Sequence, residues 1–412
     1  MTTSNQRSEH FTVAVVGAGP AGASCANALL IAGVQSVALV DRAAFPRDKS
    51  CGDGIGPGVV PVLEALDLTD VLKGRGRAAN ITLSAYQAPP AVLDTDPADP
   101  DSVLGYVIPR LEFDDTLFRA AIARGANDLT GWSLSGAEYT QSRWRLSLKN
   151  TDSGENRLIT TDVLIGADGA RSRVRRVLGQ PFNAAAHTGI AIRSYGDAVG
   201  GAHAAVRFDI REDFPRPGYG WAFADGKGHT NVGIGAFATS FRGEHEKLDA
   251  LLARYSATLE GVVSGPFRKH WTAILPLASQ MPPLAYPDNH AALIGDAASM
   301  INPLTGEGIF YGMLAGLWLG EELGAALQKG ARPSDALSAF EQRFMAYLGR
   351  HFRETYLLRV LLSAPATMSL FCRIASRSPH TFRNFIEFMF GPVPPRRPQT
   401  LVHLAMAAIG LR

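Results

Sequence analysis

Three glycines, Gly17, Gly19 and Gly22, stand in the run GAGPAG with Pro20 and Ala21 between them, and Asp41 follows nineteen residues after the last. Glycines at this spacing let the backbone turn sharply and approach a pyrophosphate, while a helix starting there presents unpaired N–H groups to it. Asp41 is placed to accept from ribose hydroxyls, so the chemistry is that of a dinucleotide site for NAD or FAD. Two more acids sit beside glycines. Asp168-Gly169 lies in LIGADGARSRVRR with Arg171, Ser172 and Arg175, and Gly295-Asp296 opens GDAASMINPLTGEGI. A carboxylate at a strand end can accept from several sugar hydroxyls, and a glycine-rich turn into a helix offers N–H groups that stabilise negative charge. As a surface ion pair, the competing reading, Asp168 and Arg171 are worth at most about 1 kcal/mol.

Cys51, in the segment CGDG, is flanked by Lys49 and Asp53. A nearby cation or a helix N-terminus would lower its pKa and fit it to touch a cofactor or supply a proton; a buried, inert small residue is the equal alternative. Tyr219, Trp221 and Phe223 alternate in GYGWAF, which puts all three on one face of a strand, either lining a pocket or forming an ordinary half-buried sheet face.

The elements that must hold these residues are legible around them. FTVAVV is an apolar β-rich run, ASCANALLIAG a helix closed by Gly33, and VQSVALVD a second strand, which together predict a right-handed βαβ unit in a parallel sheet. NITLSAY and LGYVIPR read as short strands separated by an exposed loop, PPAVLDTDPADPD. Arg110 closes the second of these and precedes a helix over 111–124, where Asp114 or Asp115 offers a structural salt bridge. Residues 131–170 alternate like a meander and 187–277 read as strands with turns, which predicts a second, antiparallel sheet. Helical periodicity then dominates, broken by Pro365 and by GPVPPRRP at 391–398.

The 412 residues carry a net charge of +2, with 46% hydrophobic and 19% charged residues, enough for two domains and too balanced for a dedicated nucleic-acid binder. Cys25, Cys51 and Cys372 sit at no metal-ligand spacing, which excludes a disulfide framework and a zinc site and makes the cytoplasm the expected compartment. Cys25 and Cys372 read as packing, and His229 and His270 as surface or core groups rather than bases. No segment reads as a membrane span. Residues 331–412 hold 11 Lys+Arg against 4 Asp+Glu, and their apolar runs at 356–371 and 400–412 are interleaved with arginines. That composition suits a helical cap over a pocket, or peripheral membrane contact.

In combination, the N-terminal βαβ unit, the Asp168 segment and the Asp296 segment resemble the p-hydroxybenzoate-hydroxylase-like FAD superfamily. FPRDKSCGDGIGP (45–57) and GYGWAF followed by Gly233-Ile234-Gly235 look like its geranylgeranyl reductase branch, with Ala224 where that branch has proline. Flavin-dependent halogenases carry Trp-x-Trp-x-Ile-Pro near this strand, and Tyr219 and Ala224 argue against halogenation. The resemblance implies FAD contacts along Gly17, Gly19, Pro20, Ala21 and Gly22, at Asp41 and Arg42, and along Cys51, Gly52, Asp53 and Gly54. It adds Arg110, Asp168, Gly169, Gly295 and Asp296, the last on the ribityl chain, and Pro303, Gly306, Glu307, Gly308 and Ile309 over the isoalloxazine. Tyr219, Trp221 and Phe223 would line the substrate pocket, with Cys51, Tyr219 and Trp221 nearest the reaction.

The implied fold is α/β: a Rossmann-like FAD-binding domain over 1–79, 106–180 and 285–330, an antiparallel-sheet substrate domain over 80–105 and 181–284, and a helical C-terminal region over 331–412. No second GxGxxG exists, so NAD(P)H or an external donor such as a reductase or ferredoxin would reach the flavin transiently. The implied reaction passes hydride from reduced FAD to a C=C bond of an apolar, isoprenoid or polyketide-like molecule; activation of O2 for monooxygenation is the alternative.

Overall fold

The computed structural model describes residues 9–95, 104–199, 204–241, 248–259, 261–265, 267 and 270–390. β1 (Glu9–Val16) enters the GAGPAG turn, α1 (Pro20–Ile31) follows, and β2 (Val37–Asp41) returns parallel to β1. Next come β3 (Gly54–Ile55), α2 (Val59–Ala65) and a hairpin of β4 (Ala78–Ala85) and β5 (Ala91–Asp94). β6 (Tyr106–Val107) pairs with β3 and precedes α3 (Arg110–Ala123). β7 (Asn127–Thr130), β8 (Trp132–Thr140), β9 (Arg143–Asn150) and β10 (Asn156–Gly166) lead to the short α4 (Arg173–Val177). The middle of the chain is β11 (Thr188–Ala198), β12 (Ala204–Ile210), β13 (Gly218–Asp225), β14 (His229–Phe237), α5 (Leu248–Ala257), β15 (Val263–Ser264) and β16 (Trp271–Pro276). β17 (Ala285–Tyr286), β18 (Ala291–Leu293), α6 (Ile309–Gln328), α7 (Pro333–Leu362), α8 (Pro365–Arg377) and α9 (Pro379–Phe390) complete it.

The first sheet has the order β17-β18-β10-β1-β2-β7, with β9 on β10 and β8 on β9. Its central strands are parallel and buried on both faces, which is why β1 and β2 read as continuous apolar runs rather than alternating ones. The meander joins this sheet through the antiparallel β9–β10 pair, so the sheet is mixed and not wholly parallel. Helices α1 and α6 cover one face in close contact: a Cβ on Gly316, Gly320 or Gly324 would collide with Ala21, Ala28 or Ala32. The glycine stripe of α6 therefore brings the two helix N-termini side by side.

The second sheet has the order β15-β11-β14-β13-β12-β4-β5, with β16 on β11. One face packs on α5 through Leu251, Leu252 and Tyr255. The other carries Ala191, Trp221 and Phe223 toward the first sheet. At the β4–β5 edge, α8 and α9 bury Phe371, Phe385 and Ile386 against Ile81, Leu83 and Leu93 and form a helical cap on this sheet, whereas α7 packs largely with the core of the first sheet.

Several local expectations are corrected. The stretch read as an exposed loop holds β5, because Ala91 and Leu93 alternate inward and find β4 beside them; its last part, 96–101, lies outside the described residues. The span 187–277 contains helix α5, whose apolar face is too short to stand out among the strands. LGYVIPR contributes only the two-residue β6, and Arg110 begins α3 instead of closing a strand. The apolar stretch 356–371 forms the end of α7 and much of α8, whereas 391–398 and 400–412 lie outside the described residues.

Candidate active site

The C-terminal ends of β1, β10 and β18 converge below the N-termini of α1 and α6. Gly17 has φ +108° and its N–H reaches the Val40 carbonyl at 2.7 Å; a Cβ there would overlap Ala167, and one on Gly22 would overlap Gly17 itself. The backbone packs this tightly only because those side chains are missing. Asp41 spans the turn, Oδ2 accepting from the Ala18 N–H at 2.8 Å and Oδ1 from Ala43 at 2.9 Å, with Arg42 exposed beside it. On the opposite side a Cβ on Gly295 would stand 2.9 Å from Ala21 Cβ, so the Gly-Asp turn and the start of α1 touch.

Asp296 accepts from Lys49 Nζ at 2.9 Å, which ties the end of β18 to the segment before CGDG. Gly308 caps α6, and Glu307 Oε1 accepts from the Phe310 N–H at 2.7 Å; burial pushes the Glu307 carboxyl up to about 7 against the pull of those N–H groups. Asp168 does not meet Arg171. It accepts from the Ser172 hydroxyl, from the Arg173 N–H at 2.6 Å and from Val174 at 3.2 Å, so it caps α4, and burial raises its pKa. Arg175 instead donates to Ser299 Oγ at 2.7 Å and the Pro181 carbonyl at 2.6 Å. His229 is exposed, and His270 is paired with Asp249 at 2.7 Å.

The CGDG loop lies against the aromatic strand: a Cβ on Gly52 would be 3.0 Å from Phe223 and 3.2 Å from Trp221 Nε1. Asp53 is buried at φ +64° and points away from the loop's open side. It accepts from the Tyr195 hydroxyl, which donates at 2.5 Å, and from Asn231 Nδ2 at 2.7 Å, and desolvation holds its carboxyl up at about 6 despite these bonds. Asn231 is the residue sequence reasoning missed. It also donates to the Cys51 carbonyl at 2.8 Å and accepts from Trp221 Nε1 at 3.0 Å, so one amide locks loop to strand. Arg193, also missed, grips both carboxylate oxygens of Asp48 at 2.7 Å. Neither lies in a recognisable motif; the one local hint is that Asn231 directly precedes Val232 and Gly233.

The cation beside Cys51 is Arg110, not Lys49. Arg110 is buried and held bidentate by Asp114 at 2.6 and 2.7 Å. Its charge pulls the Cys51 thiol pKa down, but burial outweighs it and the net direction is up, which agrees with the buried one of the two readings and not with the lowered one. Here the cost of placing a thiolate among Gly, Trp and Phe exceeds the gain from one guanidinium already neutralised by Asp114.

Tyr219, Trp221 and Phe223 share one face of β13. Trp221 lies opposite Gly233 and Tyr219 opposite Gly235 in the β13–β14 ladder. The Tyr219 hydroxyl donates to the Thr305 carbonyl, joining the second sheet to the turn before α6. Beneath that turn, Asn302 Oδ1 accepts from the Leu304 and Thr305 N–H groups at 2.9 and 3.2 Å. The Asn302 amide reaches Tyr311 at 2.9 Å and His351 Nε2 at 3.2 Å, so a buried histidine of α7 supports the turn.

A cavity of about 360 Å³ joins these parts. Its polar end is walled by Gly19–Ala21, Cys51, Arg110, Gly295–Asp296 and Gly306–Ile309. Its other end is apolar, between Ile81, Val206 and Phe208 of the sheet and Met368, Phe385 and Met389 of the cap, with the three aromatics of β13 at the junction. Gly17, Gly22, Asp41, Arg42, Asp53 and Asp168 are not among the residues that line it, and Arg42 is exposed at the surface. The donor set fits FAD: two glycine-lined helix N-termini for the anionic pyrophosphate and the flavin ring, and carboxylates at two strand ends for the sugar hydroxyls.

A family model described as an FAD binding domain matches residues 10–204. The menaquinone reductase of Mycolicibacterium smegmatis is 34% identical over 373 residues, covering 89% of this chain and 88% of that protein. The geranylgeranyl diphosphate reductase of Rhodobacter capsulatus is 31% identical over 346 residues, covering 82% and 81%. Among solved structures, a geranylgeranyl bacteriochlorophyll reductase-like protein from Thermoplasma acidophilum superposes with a TM-score of 0.81 at 20% identity, covering 97% of this chain and 99% of that one.

Proposed function

The chain belongs to the geranylgeranyl-reductase branch of the FAD-dependent oxidoreductases, and on that premise we propose that it saturates a C=C bond in the isoprenoid tail of a quinone-like lipid. The observation that carries this reading is the cavity's division into a polar flavin-side end and an apolar end between sheet and cap. A branched hydrocarbon tail matches the aliphatic and aromatic lining, and the names of the relatives point to prenylated substrates. FAD, once reduced by NAD(P)H or a protein donor, supplies a hydride to one alkene carbon, and the other carbon takes a proton.

The protein's own part is to hold the tail, keep water out and deliver that proton. Burial keeps the Cys51 thiol protonated at neutral pH, and Arg110, though paired with Asp114, offsets part of the cost of the thiolate left when the proton moves. Tyr219, whose pKa burial also raises, keeps its hydroxyl on Thr305 and so fixes the turn instead of donating. Trp221 and Phe223 set the floor over which the alkene lies.

The test is an anaerobic incubation of the holoenzyme with NAD(P)H and a polyprenyl quinone. The expected product gains two hydrogens per bond saturated, without oxygen. A product that forms only in the presence of O2 and carries an added oxygen atom overturns reduction in favour of monooxygenation.

A further inference from the structure

The elbow between α7 and α8 exposes an apolar face with no covering element among the described residues. Leu357, Val360 and Leu361 fall on one side of α7 at helical spacing and are 59%, 52% and 53% exposed; Leu370 of α8 is 48% exposed. Soluble proteins scatter single exposed aliphatics, but three on one helical face with a fourth on the helix past the bend mark a docking surface. No single described helix is long and apolar enough to cross a bilayer; α7 and α8 reach that length and apolarity only together, bent by 105°, and the inner side of α7 is buried against the protein.

Charge names the partner. Between Glu354 and Glu387 the chain has no acid at all, while Arg353, Arg373 and Arg377 are exposed around the elbow with no carboxylate partner among the described residues. A second copy docking on this face by two-fold symmetry would set these arginines against their own counterparts. An anionic lipid surface offers the opposite charge and takes up the aliphatics between its headgroups.

The elbow is also one wall of the cavity. Arg359, Leu362 and Ser363 line the cavity from the same helical turn whose outer side shows Val360 and Leu361. Arg359 stacks on Phe237 at 4.2 Å and on Tyr356 at 4.6 Å, closing the space between α7 and the end of β14. We infer that the α7–α8 elbow docks on an anionic lipid bilayer and sets the apolar end of the cavity against it. A hydrocarbon tail then passes from bilayer to cavity past Arg359 and Leu362 without crossing water. The apolar-tail part of this inference rests on the proposed function; the docking itself does not.

The experiment is flotation of the full-length holoenzyme with phosphatidylcholine vesicles made with and without phosphatidylglycerol. Wild type is expected to float with the anionic vesicles at low salt and to be released at high salt. Two double variants, Leu357→Asp with Leu361→Asp and Arg373→Glu with Arg377→Glu, are each expected to lower the bound fraction about tenfold. Flavin content and turnover of a detergent-dispersed substrate should remain at the wild-type level. Wild type that stays unbound overturns the inference. So does binding that neither variant weakens, or light scattering that shows the variants splitting a dimer with no change in vesicle binding. Because flotation is read without turnover, docking can fail while the reductase assignment stands, and the reverse.

Discussion

The indole of Trp221 occupies the space that a side chain on Gly233, its partner across the β13–β14 ladder, would fill. The Gly-x-Gly run and the aromatic run are therefore one device: glycines on one strand let large rings on the next lie flat against the sheet and form a floor. Asn231, two residues before Gly233, fixes the indole N–H and the CGDG loop together.

Gly233→Val should displace the Trp221 ring and break its bond to Asn231. The expected cost is about 1–3 kcal/mol of stability, the range for overpacking a filled site. Denaturant midpoints and a shift of the tryptophan emission check it; an unchanged emission spectrum would show that the ring does not rest on this glycine.

Asp296→Asn should weaken FAD binding about tenfold or more, because the charged acceptor is lost and Lys49 is left without its partner. Flavin retained through gel filtration and a fluorescence titration of the apoprotein measure the change. An affinity equal to wild type removes Asp296 from the cofactor site.

Cys51→Ala should cut turnover about a hundredfold while KM and flavin content stay close to wild type, the signature of a missing proton donor. The raised thiol pKa gives a second reading. At pH 8 alkylation of Cys51, followed by peptide mass spectrometry, should be slower in the folded protein than in urea.

His351 is fully buried, and desolvation lowers its pKa to about 4 from an ordinary 6.5. The unfolded chain thus binds the proton more tightly, so the stability tied to a neutral His351 is complete above about pH 6.5 and drains away as pH falls toward 4. The loss should reach about 3 kcal/mol. Urea midpoints across this window should fall in wild type and much less in His351→Gln; parallel slopes would assign the effect to other groups.

What the sequence displayed plainly was whatever local sterics impose. Gly17 and Gly22 are legible because no other residue fits where the backbone crosses itself, and Tyr219, Trp221 and Phe223 because a strand's two-residue period is written along the chain. The environment of Cys51 was hidden because it is set by Arg110, some sixty residues away, and not by the adjacent Lys49, which is drawn off to Asp296. Asn231 and Arg193 were hidden for the same reason: each acts on the 47–54 segment from another sheet, and nothing local marks a residue whose partners arrive through tertiary pairing. Strand β5 escaped notice because the prolines around it suit an edge strand as well as a loop.

The order of strands in the first sheet also fixes when the site can exist during synthesis. β1 sits between β2, which is made at once, and β10, while Lys49 is separated by 247 positions from the Asp296 it pairs with. At bacterial and eukaryotic elongation rates, that gap lasts roughly ten to fifty seconds. Throughout it the glycine turn of the nascent chain faces the ribosome and its chaperones without the helix that will lie against it, α6. The close approach of α1 and α6 is therefore a contact that forms only after the chain has been made through the glycine stripe of α6, long after β1, α1 and β2 have emerged together.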